Sequence, residues 1–105
     1  MEKKYIVKVT PRAEADLDNV HSFLWRATLD MEIAAKVCVK IENAIAGLAS
    51  RPHIRPMLPR DGIYNECFRK EICGDYIIPF LIHEPTQTIY VTHIFNGRAN
   101  YQQYL

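Results

Sequence analysis

The chain has few glycines, and they are not arranged to hold a phosphate. Four glycines stand far apart in 105 residues, so they form neither a Gly-rich nucleotide-binding loop nor a Gly-x-Ser-x-Gly nucleophile elbow. Cysteine is also scarce: the three cysteines match no zinc-binding spacing and cannot all pair within one chain. The sequence therefore predicts neither metal-dependent nor covalent nucleophilic catalysis, and it predicts no bound metal and no cofactor.

Long apolar runs are missing as well. No segment approaches the roughly 20 apolar residues that cross a membrane, and the N-terminus does not resemble a signal peptide. We therefore expect a cytoplasmic protein with free thiols and no membrane partner. The formal net charge of +1 argues neither for nor against a polyanionic partner. Because 49% of the residues are hydrophobic, we expect a folded chain with one domain over residues 1–105.

The first half of the chain predicts a strand followed by two helices. Residues 5–9 alternate as in a half-buried β-strand. Thr10 and Pro11 form a typical helix start, and Asp30 is a plausible cap for a second helix. Apolar stripes at helical spacing follow both starts, so we expect an antiparallel helical hairpin. The first stripe consists of Ala13, Leu17, Val20 and Leu24, widened by Phe23 and Ala27, and we expect Trp25 to pack within the hairpin.

The second half predicts a three-stranded antiparallel meander from Tyr64 onward, because turn-sized breaks separate three runs rich in β-branched and aromatic residues. Pro79 cannot donate to a ladder, so we expect a bulge or one-sided pairing beside it. In the last run, alternation places Ile94 with Tyr90, on the face opposite the helices, where a partner would cover it. The predicted fold class is α+β, in the order β-α-α-β-β-β, with the helical hairpin on a small antiparallel sheet.

Four polar residues of the second half are candidates for a functional site, each with a simpler alternative. Arg69 and Arg98 flank the meander and could converge on a phosphate, or form ion pairs with nearby acidic residues. His93 could act as a general acid or base, or pack among strand residues. Tyr101 could stack on a nucleobase or anchor the C-terminus. The residue types alone leave these alternatives open.

Several short motifs, taken in order, resemble the RelE/ParE superfamily of toxins. Residues 9–17 read Val-Thr-Pro-Arg-Ala-Glu-Ala-Asp-Leu, which is similar to the Thr-Pro-x-Ala-x-x-Asp-Leu segment that enters the helical hairpin of these toxins. Residues 68–76 resemble the family's first meander strand and the turn behind it. Residues 89–98, Ile-Tyr-Val-Thr-His-Ile-Phe-Asn-Gly-Arg, are similar to its last strand and basic ending. The likeness spans nearly the whole chain and implies the toxin half of a type II toxin–antitoxin module.

The resemblance also implies a partner. Such toxins are neutralised by a cognate antitoxin whose disordered tail folds along the helical hairpin and the sheet. On that basis we expect apolar residues of both elements to bind the antitoxin, namely Leu17, Val20, Leu24 and Ile94. The oligomeric state is left open, a homodimer included.

Two unlike targets occur in the superfamily, and the sequence favours one of them. RelE-like nucleases tend to have an arginine after the tyrosine that opens the middle strand, whereas here Ile77 follows Tyr76. We therefore expect a ParE-like toxin that binds and poisons DNA gyrase, with Arg69, Arg98 and Tyr101 contacting the target. The alternative is a RelE-like, metal-independent endonuclease of ribosome-bound mRNA, with Arg69, His93 and Arg98 as catalytic residues.

Overall fold

The elements follow one another in the predicted order. The structure, a computed structural model, describes residues 4–57 and 68–97. Its helices and strands are β1 (Ile6–Val9), α1 (Pro11–Thr28), α2 (Met31–Gly47), β2 (Phe68–Cys73), β3 (Tyr76–His83), β4 (Thr88–Val91) and β5 (Phe95–Asn96). Single 3₁₀ turns occupy Pro52–Ile54 and Glu84–Thr86. The α+β fold with a helical hairpin is confirmed, and β5 is a short, separate continuation of the predicted last strand.

The two helices are joined by a tight turn. Leu29 ends α1 in the left-handed conformation, with φ of 54°, and its N–H donates to the carbonyl of Trp25 at 2.8 Å. The Asp30 carboxylate then accepts the N–H of Glu32 at 2.9 Å, which confirms the predicted cap of α2. Because only Leu29 and Asp30 separate the helices, the chain reverses at once and α2 packs back along α1.

The sheet has the strand order β1-β4-β3-β2. β2, β3 and β4 are antiparallel neighbours, which confirms the predicted meander. β1 lies parallel to β4, with Val9 opposite Val91, so the complete sheet is mixed. Gly74 turns the chain between β2 and β3 with φ of 59°, a value that glycine adopts without strain.

The core lies between the hairpin and one face of the sheet. Its fully buried side chains come from both helices and from the two central strands: Ala13, Ala34, Ile41, Leu48, Ile78, Phe80, Ile89 and Val91. Burying each of the larger ones contributes about 1.5–3 kcal/mol. The predicted inward stripe of α1 is confirmed, but its predicted widening by Phe23 and Ala27 is wrong, because both are exposed. Trp25 is 41% exposed, since it is rotated by about 100° around the helix axis from the half-buried Leu24.

Candidate functional site

The start of α1 is fastened to the end of β4 by Thr10. The Thr10 side-chain oxygen accepts the N–H of Ala13 at 3.2 Å, which confirms the predicted helix cap. The same hydroxyl lies 2.9 Å from the carbonyl oxygen of Val91, to which it donates. The Thr10 N–H donates to that oxygen as well, at 3.1 Å. Because Ala13 is fully buried with only a methyl side chain, α1 approaches the sheet closely here.

Asp16 continues this attachment one turn further along α1. Its Oδ2 accepts the backbone N–H of Ile94 at 3.0 Å, and its Oδ1 accepts Nε of Arg12, also at 3.0 Å. The Asp16 side chain is 13% exposed, so water competes little for these bonds. The Thr-Pro-x-Ala-x-x-Asp-Leu motif therefore has a structural meaning: Thr10, Ala13 and Asp16 together hold α1 against the segment that follows β4.

That segment is a bulge, and it changes which residues face the core. Val91 lies opposite Phe80, and Phe95 lies opposite Ile77. Between these two pairs the last strand has three residues, 92–94, whereas β3 has two, 78 and 79, so the last strand contains one extra residue. The pairing here is one-sided: the Thr92 N–H donates to the carbonyl of Pro79 at 3.1 Å, and the Thr92 hydroxyl donates to the same oxygen at 3.4 Å. The bulge predicted beside Pro79 is confirmed.

The predicted facing of Ile94 is wrong. Strict alternation placed it on the face opposite the helices, but the extra residue of the bulge reverses the alternation. Ile94 is 2% exposed and belongs to the same core cluster as Ile89 and Val91. Its side chain is therefore not part of an exposed docking surface in this structure.

A cleft of ≈ 350 Å³ lies between α1 and the bulge. Its lining mixes a cation, a carboxylate, amides, a phenol and apolar side chains: Arg12, Asp16, Asn19, Val20, Phe23, Tyr76, Ile94, Phe95 and Asn96. The Asp16 carboxylate is already bonded to Arg12 and to the Ile94 N–H, so it is poorly suited to take a proton from a substrate. The arrangement is better suited to binding a polar and apolar surface than to proton transfer.

Tyr76 contributes a hydroxyl that keeps its proton at neutral pH. The phenol pKa is raised, first by burial and then by the nearby Cys38 and Asp75. A protonated phenol is a hydrogen-bond donor, so Tyr76 can donate to an acceptor that enters the cleft. Burial also raises the pKa of the Cys38 thiol, with smaller contributions from Glu42 and Asp18, so this buried cysteine is a weak nucleophile.

Arg69 has structural contacts. Its Nη1 donates to the backbone carbonyl of Arg55 at 2.7 Å and to that of His53 at 3.0 Å. These bonds hold the chain that follows α2 against β2. Glu71, an acidic residue two positions further along β2, pairs with Nε of Arg55 at 2.7 Å. The guanidinium of Arg69 thus has a role in the fold that the sequence did not reveal.

The structure does not bring Arg69 and His93 together. Arg69 lies opposite Phe80, and Phe80 lies opposite Val91. Two strand spacings, about 10 Å in all, therefore separate Arg69 from β4, and His93 lies two residues beyond the end of that strand. Arg98 and Tyr101, the other predicted site residues, lie outside the described residues.

Two of the residues predicted to bind an antitoxin are accessible. Leu17 and Leu24 are half-buried. Leu17 lines a cleft of ≈ 430 Å³ between the helices and β1, and Leu24 lines one of ≈ 340 Å³ between the helices and the β2–β3 turn. Val20 lies between them on the helix but is buried in the core, 8% exposed. Antitoxin binding at Leu17 and Leu24 therefore stays a prediction that their partial exposure permits, whereas Val20 offers little accessible surface to a partner.

The far end of the hairpin carries an exposed apolar surface that the sequence did not point to. We call it the hairpin tip, and define it by Phe23, Trp25, Leu29, Met31 and Ile33, all of which are exposed. Leu29 is the most exposed, at 75%. An adjoining group of large exposed apolar side chains is typical of surfaces that bind a protein partner. The position of Trp25, about 100° around the helix axis from Leu24, was the signal available in the sequence.

The sequence matches a known family over almost its whole length. The match is to the ParE toxin of type II toxin–antitoxin system, parDE, and covers residues 7–101 of 105. The fold and this match together define a small toxin of the RelE/ParE superfamily, which confirms the resemblance found in the motifs. The chain belongs to the ParE toxin family of type II toxin–antitoxin systems. No curated protein sequence matches it.

Solved structures have the same fold. A chain of the chromosomal ParDE toxin–antitoxin system from P. aeruginosa aligns with a TM-score of 0.72 at 19% identity, covering 90% of this chain and 97% of that one. A chain of the RelBE2 toxin–antitoxin complex from Mycobacterium tuberculosis aligns with a TM-score of 0.60 at 21% identity, covering 89% and 98%. At these identities the likeness establishes the fold and leaves the target to other arguments.

Neither of the helices that the structure describes is both long enough and apolar enough to cross a membrane. Within residues 4–57 and 68–97, His, Cys, Asp and Glu side chains form no cluster of three or more that could hold a metal ion.

Proposed function

We propose that this chain arrests growth by binding and poisoning DNA gyrase. Its membership of the ParE toxin family carries the proposal. The placement of Arg69 supports it, because a nuclease that stabilises a charged phosphate needs cations converging on one point. Arg69 is instead bonded to two backbone carbonyls, about 10 Å from the strand that leads to His93. The half-buried Ile77 stands where RelE-like nucleases tend to have an arginine.

A supercoiling assay tests the proposal. Purified toxin is titrated into gyrase with relaxed plasmid and ATP, and we expect supercoiling to be lost as the toxin concentration rises. Arg98 and Tyr101 are the residues we propose to contact gyrase, so Arg98→Ala should raise the half-inhibitory concentration about tenfold, the effect of losing one charge-assisted hydrogen bond. Arg26→Ala is the matched control, because it removes one exposed arginine from the last turn of α1.

A parallel assay separates this activity from RNA cleavage. The same toxin preparation is added to translating ribosomes, and primer extension then maps the 5′ ends of the message. Intact message together with lost supercoiling supports the gyrase proposal. Full supercoiling at a molar excess of folded toxin, together with cleaved message, would replace it with the ribosome-dependent endonuclease, to be tested at His93 and Arg98.

We also propose that a cognate antitoxin neutralises the toxin by covering the helical hairpin. The hairpin tip and the clefts at Leu17 and Leu24 support this, because they offer exposed apolar side chains beside half-buried ones. A disordered segment that folds as an amphipathic helix buries its apolar face on such a surface. The candidate partner is the product of a small reading frame next to the toxin gene.

Trp25 reports on this contact without a label, because it is the single tryptophan of the chain. Its exposed ring should change from a water-like to an apolar environment when the antitoxin binds, which shifts its fluorescence to shorter wavelength. A tryptophan-free antitoxin peptide is used for the titration. Phe23→Ala, also on the hairpin tip, should weaken binding, and Ile72→Ala on the exposed part of β2 is the control. Tight binding with unchanged emission would place the antitoxin elsewhere.

A further inference from the structure

Three polar side chains, those of Tyr5, His53 and Glu84, lie close together outside the cleft between α1 and the bulge. The Tyr5 hydroxyl is 3.1 Å from both carboxylate oxygens of Glu84 and 3.2 Å from Nε2 of His53. The same Nε2 is 2.5 Å from Oε1 of Glu84. Phenol, imidazole and carboxylate thus meet at one point on the surface, and none of them belongs to the site proposed above.

We propose that Tyr5, His53 and Glu84 form a binding site for a divalent transition-metal ion such as Zn²⁺, Ni²⁺ or Cu²⁺. Imidazole nitrogen with carboxylate oxygen is a donor set that these ions accept. Ligands about 2.1 Å from a shared ion lie about 3.0 Å apart in octahedral and 3.4 Å apart in tetrahedral geometry. The separations between Tyr5 and the other two side chains already match this range, and the His53–Glu84 pair would have to open by about 0.5–0.9 Å.

The three side chains are held in place by backbone bonds. The Tyr5 N–H donates to the carbonyl of Ala49 at 2.9 Å. The Gln87 N–H donates to the carbonyl of Glu84 at 3.0 Å and closes the turn. The carbonyl of Gln87 accepts a hydrogen bond from the Ile6 N–H at 2.9 Å. Such outer contacts fix the orientation of metal ligands and lower the cost of assembling a site.

Arg69 holds the backbone at His53. Its Nη1 donates to the backbone carbonyl of His53 at 3.0 Å. The His53 and Glu84 side chains are 49% and 46% exposed, so an ion can enter from solvent and keep water in its remaining coordination positions. A bound ion would join Tyr5, just before β1, to the turn after α2 and to the β3–β4 turn, three segments that are distant in sequence.

Tyr5 is the weakest ligand of the three. The pKa of its hydroxyl is raised, mainly by burial and then by its hydrogen bond to Glu84, so at neutral pH the phenol keeps its proton and coordinates an ion only weakly. His53 and Glu84 are thus the principal ligands, with Tyr5 the weaker third one.

Thermal unfolding of the full chain with and without Zn²⁺ tests the proposal. Millimolar Zn²⁺ should raise the Tm of the wild type by roughly 5 °C at pH 7.5. His53→Ala and Glu84→Gln should each abolish the rise, Tyr5→Phe should reduce it, and His21→Ala on α1 should leave it unchanged. No rise in the wild type, or an equal rise in His53→Ala and Glu84→Gln, would overturn the proposal, the latter by placing the ion on other groups such as the thiols.

A second measurement needs no variant and so avoids any failure to fold. In a ¹H–¹³C spectrum of the wild type, the His53 ring resonances should shift on addition of Zn²⁺ with one-to-one saturation. The ring resonances of His21 and His83 should stay in place. Shifts confined to His21 or His83, or an absence of shifts, would contradict a site at His53.

Discussion

The carboxylate of Asp16 accepts the backbone N–H of Ile94 at 3.0 Å, across 78 positions of sequence. This bond satisfies a donor that the bulge after β4 would otherwise leave without a ladder partner. It also fixes α1 over the bulge and so shapes the cleft between them. The acidic position of the Thr-Pro-x-Ala-x-x-Asp-Leu motif is thereby explained by folding.

Replacing Asp16 should therefore cost stability. Asp16→Ala removes the acceptor of a largely buried N–H, for which we expect a loss of about 1–3 kcal/mol in the free energy of unfolding. Asp16→Asn keeps one amide oxygen and should lose less. Asp18→Asn, exposed on the same helix, should stay within about 0.5 kcal/mol of the wild type. Urea denaturation measures all three, and equal midpoints for Asp16→Ala and Asp18→Asn would contradict the assigned role.

Arg69 should behave as a structural residue. Its bonds to the carbonyls of His53 and Arg55 predict that Arg69→Ala loses about 2 kcal/mol of stability. Growth arrest should persist at a temperature at which the variant remains folded, as judged by circular dichroism. Arg26→Ala is the control for the lost charge. A folded Arg69→Ala protein of normal stability that no longer arrests growth would restore Arg69 to the functional site.

Stability should decline in alkaline solution. The pKa of the Cys38 thiol is raised from 9.0, and those of the Tyr5 and Tyr76 phenols are raised from 10.0, in each case chiefly by burial. Above about pH 9 the unfolded chain therefore releases protons that the folded chain retains, and the free energy of unfolding falls as pH rises. Urea midpoints from pH 7 to about pH 10.5 measure this fall. Cys38→Ala and Tyr76→Phe should each reduce its slope, and identical slopes in all three proteins would refute the explanation.

We expect the Leu29 side chain to contribute to antitoxin binding while lowering the free energy of unfolding. It combines a left-handed backbone, φ of 54°, with a side chain that is 75% exposed, two unfavourable choices for a leucine. Leu29→Asn should raise the free energy of unfolding by about 0.5–1 kcal/mol, because asparagine tolerates this conformation. It should also weaken antitoxin binding. Met31→Asn controls for loss of an exposed apolar side chain at an ordinary helical position, and a stabilised variant with unchanged antitoxin affinity would remove Leu29 from the interface.

Features decided by neighbouring residues could be predicted from the sequence. The caps at Thr10 and Asp30 depend on side chains two or three residues from the amides they satisfy. The inward stripe of α1 follows from helical spacing. The bulge could be predicted because Pro79 lacks a backbone N–H, which is a property of that residue alone. The motif order was sufficient to identify the superfamily.

Features decided by distant contacts could not be predicted. Pro79 did not indicate that the last strand would carry the extra residue of the bulge, and that residue turned Ile94 inward. Arg69 binds main-chain oxygens 14 and 16 positions away, which no pattern of acidic side chains reveals. Tyr5 contacts His53 and Glu84, which follow it by 48 and 79 positions in the sequence, and only the folded chain brings the three together.

Trapping of the covalent gyrase–DNA intermediate tests the proposed function most directly. Gyrase, supercoiled plasmid, ATP and increasing amounts of toxin are incubated, and the reaction is stopped with detergent and protease so that trapped intermediates appear as linear DNA. We expect linear DNA to increase with toxin concentration, and to do so less steeply with Arg98→Ala than with Arg26→Ala. Plasmid that stays circular and fully supercoiled at a molar excess of folded toxin would contradict the assignment of gyrase as the target.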